Sequence, residues 1–405
     1  MVTMKKGFKR SDFPIFSTHP QLVYLDSGAT AQKPQSVIDA EIKYYKELCA
    51  PVHRGIYALA ERATEQFEQV RAQVAEFINA ESVDEIVFVR GTTEAINTIS
   101  YAFGLSQIQA GDEIVVTMLE HHANCVPWIE CARKNGATLN WIPIDDQGAL
   151  ILDDLEKIIT NKTKLVALTI ASNVIGSTIP FERIIARAKE VGAYVLLDGA
   201  QYIAHQKVDV RALGCDFFVF SGHKMLGPTG IGVLYANKRT HSLLQPFQTG
   251  GSMISSVTTS GATWREMPAL LEAGTPAIAQ VIGLGAAVEY YKNEVDYAGL
   301  AEYEHALCKQ LVEGLLLLKK VHIVGDPNRI MQTGHLVSFT VDDMHPHDIS
   351  AYLAEKNICI RAGRHCAQPL HDRLGLDATA RASLCGYNTS EDIEALLAGL
   401  RELVS

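Results

Sequence analysis

The chain has 405 residues, 47% of them hydrophobic and 20% charged, with a net charge of −10. That length and apolar share suffice for a large core and for more than one compact unit. The modest negative balance, without a polybasic tract, argues against nucleic acid or an anionic membrane as partner, and no apolar run approaches the ~20 residues of a membrane span. The basic start, Met1 to Arg10, leads into no apolar stretch and does not read as a secretory signal. Eight cysteines are scattered with no C-x-x-C pair and no Cys/His metal spacing. They predict reduced thiols in a cytoplasmic protein and no metal centre.

In chain order, Lys9 to Pro20 reads as a short helix or arm and Tyr24 to Asp26 as an extended piece. Val37–Leu48 and Thr64–Ile78 carry helical periodicity. Regular alternation then begins. The strands are Ile86–Val89, Glu113–Thr117, Leu139–Ile144, Leu165–Ala171, Tyr194–Leu197, Phe217–Phe220 and Gly232–Tyr235. Helices Gly91–Phe103, Asn124–Lys134, Leu152–Ile159 and Phe181–Val191 fall between them. This alternation predicts an α/β layer with a mostly parallel sheet, the strand at Gly232 running antiparallel after its brief turn. Gln248–Thr263, rich in Gly, Ser and Thr, reads as a loop or hairpin. Helices Ala277–Lys292, Leu300–Leu318, His347–Lys356 and Glu391–Leu403, with strands Leu336–Val341 and Ile358–Arg361, complete a smaller α+β unit beyond about Lys292.

Asp198 ends one strand, and Lys224 follows the end of the next in Ser221-Gly222-His223-Lys224. An acid and an amine at strand ends suit pyridoxal phosphate: the lysine forms a Schiff base and the acid pairs with the ring nitrogen. Gln201 lies near Asp198. Gly91-Thr92-Thr93 opens a helix, where free amides and hydroxyls attract phosphate. His121, in Glu120-His121-His122, has the chemistry to stack on a cofactor and exchange protons. His345-Pro346-His347-Asp348 reads as a solvated helix start. Cys366 sits in a glycine turn beside Arg364 and His365 and is the best candidate for a reactive thiol. Cys125 is its rival, whereas Cys49, Cys215, Cys308 and Cys359 read as inert buried residues. Arg381 suits a bidentate grip on a substrate carboxylate.

Together, Arg90-Gly91-Thr92-Thr93-Glu94-Ala95-Ile96-Asn97, Glu120-His121-His122-Ala123-Asn124, Ser172-Asn173-Val174, Asp198-Gly199-Ala200-Gln201, Ser221-Gly222-His223-Lys224, Glu272-Ala273-Gly274-Thr275-Pro276 and Arg361-Ala362-Gly363-x-His365-Cys366-Ala367 resemble the pyridoxal-phosphate cysteine desulfurases. The resemblance is to the second, SUF and cysteine sulfinate desulfinase group of the class-V aminotransferases. It runs from Leu25-Asp26-Ser27 to the C-terminal helix. It implies a fold-type I PLP-dependent transferase, α/β, with a mostly parallel central sheet and a smaller α+β domain. Residues 22–292 would form the large PLP-binding domain; 1–21 with 293–405 would form the small domain carrying the cysteine loop.

The resemblance also implies roles. Lys224 would hold the cofactor, His121 would stack on its ring, Asp198 would face the ring nitrogen and Gln201 the ring hydroxyl. Thr92, Thr93, Ser221 and His223 would hold the phosphate, with Thr275 contributed to the neighbouring site of a homodimer. Asn173 would contact cofactor and substrate; Arg381, with His53 and Arg361, would bind substrate. Gly251 to Thr263 would form the hairpin that this group places over the neighbouring active site. Cys366 would take sulfur from L-cysteine as a persulfide, leaving L-alanine, for a sulfur-acceptor protein in iron–sulfur cluster assembly or a related transfer. Selenocysteine and cysteine sulfinate are alternative substrates of the same site. One position departs: Arg364 stands where related sequences often carry His or Gln, and its charge predicts a stabilised Cys366 thiolate or an acidic partner surface.

Overall fold

Seven strands form the central sheet of the computed structural model, which describes residues 7–405. Across the sheet they run Ile86–Val89, Gly232–Ala236, Phe217–Ser221, Tyr194–Asp198, Thr163–Thr169, Glu113–Thr117 and Thr138–Ile142. Gly232–Ala236 is antiparallel to both neighbours, and the remaining pairings are parallel. The strands read as continuous apolar runs because both faces are covered. Phe218 and Phe220 pack into one core, while Phe217 and Val219 pack into another on the opposite face.

A four-stranded antiparallel sheet organises the smaller unit, in the order Val321–Ile323, Leu336–Val341, Thr379–Ser383, Arg361–Gly363. Helices Tyr297–Leu316, Pro346–Ala354 and Ser390–Val404 cover it around a separate core that includes Leu311, Phe339 and Leu396. The described N-terminal arm is tied to this unit: Arg10 donates to Asp392 at 2.7 Å and to the Tyr387 carbonyl at 3.0 Å. Val23–Tyr24 then pairs in parallel with Ile358–Cys359. A domain boundary at residue 22 therefore cuts through a segment bonded to the smaller unit. Residues 1–6 of the expected small domain lie outside the described residues.

Several elements differ from the sequence reading. The helix expected from Thr64 begins at Ala58, and the one expected over Leu152–Ile159 is reduced to Leu155–Ile158. Ile358–Arg361 divides into two strands of different sheets. The strand Thr379–Ser383 has too little bulk for a β signal, although all five residues are buried. Cys215 and Cys308 are buried as expected, but Cys49 is exposed and Cys359 half-buried. Cys49 follows the last turn of the 35–48 helical stretch on its outer side. Gly251–Thr263 does contain a hairpin, Ile254–Thr258 with Gly261–Trp264, and both strands are largely exposed. Among the described residues, no helix is long and apolar enough to cross a membrane.

Candidate active site

The strands other than Gly232–Ala236 point their carboxyl ends the same way, and ligands of such sheets bind beyond that edge. Five segments leave those ends: Gly91–Thr93, Glu120–Ala123, Ala171–Asn173, Asp198–Gln201 and Ser221–Lys224. With Arg361, Cys366 and Arg381 from the smaller unit they enclose a cavity of about 220 Å³. All the residues expected at the site line it except His53 and Thr275. Those two share a separate cavity of about 400 Å³ with Arg71 and Glu272. There Arg71 pairs with Glu272 at 2.7 Å, and His53 with Glu68 at 2.8 Å.

Lys224 ends a 3-10 turn begun by Gly222. The preceding carbonyl, of His223, accepts from the Ala31 N–H at 2.9 Å and the Lys33 ammonium at 3.1 Å, which fixes the turn. Burial lowers the Lys224 amine to about 8, against the pull of Asp198; Arg381 lowers it further. Burial raises the Asp198 carboxyl, while the Ala200 N–H at 2.9 Å and Lys224 oppose the rise. The glycine after Asp198 is a packing requirement, since a Cβ there would lie 2.1 Å from the Phe218 ring. The next glutamine, Gln201, donates to the Gly28 carbonyl at 2.8 Å. His223 is pushed down to about 4 by burial, with Lys224 and Lys33 adding to the effect.

His121 is lowered to about 3, first by burial and then by Lys224. Its Nδ1 accepts from the Ala123 N–H at 3.0 Å, so the neutral ring carries its proton on Nε2. The loop is anchored by Glu120, which is buried and pushed up to about 8 by that burial. Glu120 accepts from Thr169 N–H at 2.8 Å, Thr117 Oγ1 at 2.7 Å and Asn124 Nδ2 at 2.7 Å.

The helix Thr92–Ile99 starts after Gly91, which has φ 155° and offers no side-chain cap. The amides that follow Thr92 in its first turn therefore remain available to an anion. The Thr92 N–H donates to Ser221 Oγ at 2.9 Å, and the two hydroxyls lie 2.8 Å apart. Thr92 and Ser221 line the same cavity as Lys224.

Arg361 and Arg381 are directly opposed in register on adjacent antiparallel strands, which puts both side chains on one face. Arg381 is buried; it donates to the Asn173 carbonyl at 2.9 Å and to Asp26 at 3.3 Å, and its Nε has no partner among the described residues. Burial lowers it to about 10, with Asp26 opposing. Sequence reasoning left Asp26 without a role. Two arginines at one cavity need a counter-charge, and Asp26, the acid ending the first extended piece, was the signal.

The Cys366 thiol is exposed, in a loop where His365 and Cys366 both have positive φ, 50° and 55°. Asn173, expected to contact cofactor and substrate, lines the cavity, and its side-chain amide donates to the His365 carbonyl at 2.6 Å. Arg364 donates to the Asp377 carbonyl at 2.9 Å and lies 3.8 Å from the Asp372 and Asp377 carboxylates, so its charge is directed to those two acids. Cys125 is buried, and burial pushes its thiol up to about 11, which leaves it a poor nucleophile. His345 caps the helix Pro346–Ala354 by accepting from the His347 N–H.

An aminotransferase class-V family model matches residues 23–396. A cysteine desulfurase of Enterobacter sp. (strain 638) is 44% identical over 398 residues, 97% of each chain. The solved cysteine desulfurase CsdA of Escherichia coli superposes with a TM-score of 0.90 at 38% identity, covering 98% of both chains. A C-DES variant solved with glycine covalently linked to its PLP cofactor superposes with a TM-score of 0.83 at 25% identity, covering 97% of this chain and 99% of that one.

Proposed function

With the chain belonging to the class-V aminotransferase family, as a pyridoxal-phosphate-dependent cysteine desulfurase of the second group, we propose that it converts L-cysteine to L-alanine by moving sulfur onto Cys366. One observation carries this reading. Lys224, Asp198, the uncapped start at Thr92, the Arg381 guanidinium and the exposed Cys366 thiol line a single cavity.

The donor set fits the cofactor. Thr92, Thr93, Ser221 and His223 supply phosphate donors, Asp198 an acid for the ring nitrogen and Gln201 an amide for the ring hydroxyl. His121 offers a neutral ring for stacking, and Lys224 an amine close to neutrality for the aldehyde carbon. Bound there, pyridoxal phosphate supplies an electron sink for negative charge developing at the substrate Cα.

The protein supplies position and protons. The free Nε of Arg381, with Arg361, takes the substrate carboxylate and so fixes Cα. Lys224 takes the Cα proton. The Cys366 thiolate attacks the substrate sulfur: an S–S bond forms, the Cβ–S bond breaks, and the electron pair left at Cβ takes up a proton. L-Cysteine and the Cys366 thiol become L-alanine and a Cys366 persulfide with no outside oxidant. A thiol of an acceptor protein then attacks the outer sulfur and restores Cys366, in iron–sulfur cluster assembly or a related transfer.

The separate cavity holding His53 and Thr275 supports a homodimer in which these residues serve the neighbouring site, under the exposed Ile254–Trp264 hairpin. The separate core beyond residue 292 supports the two-domain division, 22–292 against 1–21 with 293–405, with the 22–26 segment shared between them. Eight free thiols suit the reducing cytoplasm, where we place the reaction.

The test is incubation of the cofactor-loaded protein with L-cysteine and dithiothreitol, measuring alanine and sulfide. Equal amounts of both are expected, with alanine lost in Lys224→Ala and in Cys366→Ala. Undiminished alanine from Lys224→Ala would sink the proposal. In Cys366→Ala, turnover of selenocysteine with loss of turnover on cysteine is the expected pattern.

A further inference from the structure

We propose that His122 is the latch of the Cys366 loop, a positioning residue whose imidazole sets where the thiol stands; this rests on the reading of Cys366 as sulfur acceptor. Left-handed backbone at two successive non-glycine residues, His365 and Cys366, is unfavourable in itself and persists only where the surroundings impose it. Three hydrogen bonds from the large unit impose it. One is the Asn173 amide on the His365 carbonyl. The other two meet at His122: its N–H donates to the Cys366 carbonyl at 2.6 Å, and its Nε2 accepts from the Gln368 N–H at 3.0 Å. They bracket the cysteine from both sides.

The geometry gives the two adjacent histidines different tasks. His121 lines the cavity and uses Nδ1 on its own turn. His122 reaches across to the smaller unit, where the Gln368 amide is the first N–H of the helix Gln368–Arg373 and has no partner within that helix. The imidazole supplies the missing acceptor. The loop that carries His122 leaves the sheet at the buried Glu120, which accepts from Thr117 and Thr169 on two neighbouring strands. Of these contacts, only the one to Nε2 is made by a side chain on an exposed face. Breaking it frees one flank of Cys366 without disturbing the sheet, which suits a thiol that must first face the cavity and then present its sulfur outward.

The experiment compares the cofactor-loaded wild type with His122→Ala, His122→Gln, Gln368→Pro and the double variant His122→Ala/Gln368→Pro. Hydrogen exchange of the amides in 364–367 is measured beside desulfurase kcat and KM. His122→Ala and Gln368→Pro are expected to speed exchange about tenfold. Both should lower kcat about tenfold while KM for cysteine stays within about twofold. Gln, whose side-chain oxygen also accepts, should restore most of both, and the double variant should be no looser than either single change. Unaltered exchange in both single variants, loosening with kcat unchanged, or full additivity in the double variant would overturn the latch. Undiminished alanine production by Cys366→Ala would overturn the acceptor reading alone, because loop exchange in the His122 variants is measured without substrate.

Discussion

The Asp26 carboxylate stands between two arginines, 3.3 Å from the Arg381 guanidinium and 3.2 Å from that of Arg361. Without it, two cations opposed in register would face one cavity with no counter-charge. Asp26→Asn should therefore destabilise the protein by about 2–4 kcal/mol, read from urea unfolding. A double change, Asp26→Asn with Arg361→Gln, should recover part of that loss, since it removes one of the repelling charges.

Arg381 uses one nitrogen on Asn173 and another on Asp26 and keeps Nε free. A lysine has a single point of charge and cannot do all three. Arg381→Lys should raise KM for L-cysteine about 10- to 100-fold, the effect of losing one charge-assisted pair. The cofactor absorbance of the purified variant should match that of the wild type.

Cofactor-free protein should show the lysine in its pH–stability curve. Folding lowers Lys224 from 10.5 to about 8. Between those values the unfolded chain holds a proton that the folded chain has released, so stability rises with pH through this window. Below it, the folded protein carries a desolvated ammonium. Lys224→Met should be more stable than wild type near pH 7, by an amount on the order of 2 kcal/mol, and the advantage should shrink toward pH 10.5. Urea titrations of both proteins at several pH values measure the difference.

His121 should stay neutral throughout the working range, because its pKa is held at about 3. Nitrogen NMR of the labelled protein should report an Nε2–H tautomer from pH 5 to pH 8, as approximate limits. An imidazolium signal in that range would contradict the burial and the neighbouring Lys224 charge.

If Thr275 serves the neighbouring site, Lys224→Ala and Thr275→Ala chains should complement each other. A mixed dimer holds one site with both residues intact. Unfolding the two inactive proteins together and refolding them should restore activity that neither regains alone.

The central sheet was legible because a strand buried on both faces writes a run of large apolar residues, as in Phe217–Phe220. Lys224, Asp198 and Cys366 were legible because their chemistry is uncommon at strand ends and glycine turns. Arg381 was found, but its strand was not: Thr379-Ala380-Arg381-Ala382-Ser383 owes its place to the partners it pairs with, not to bulk of its own. Asp26 and His122 escaped for the same reason. Each acts on a segment more than two hundred positions away, and no local pattern in a single sequence carries that distance.

That distance also sets an order of assembly. Asp26 and Arg361 are 335 positions apart, and Val23–Tyr24 has no strand to lie against until Ile358–Cys359 has been made. A chain emerging from the ribosome can complete its seven-stranded sheet long before this. The carboxylate clamp must wait, because closing so long a loop is entropically unfavourable and slow. The residues of the cofactor cradle thus leave the ribosome well before the strands that carry Arg361 and Arg381.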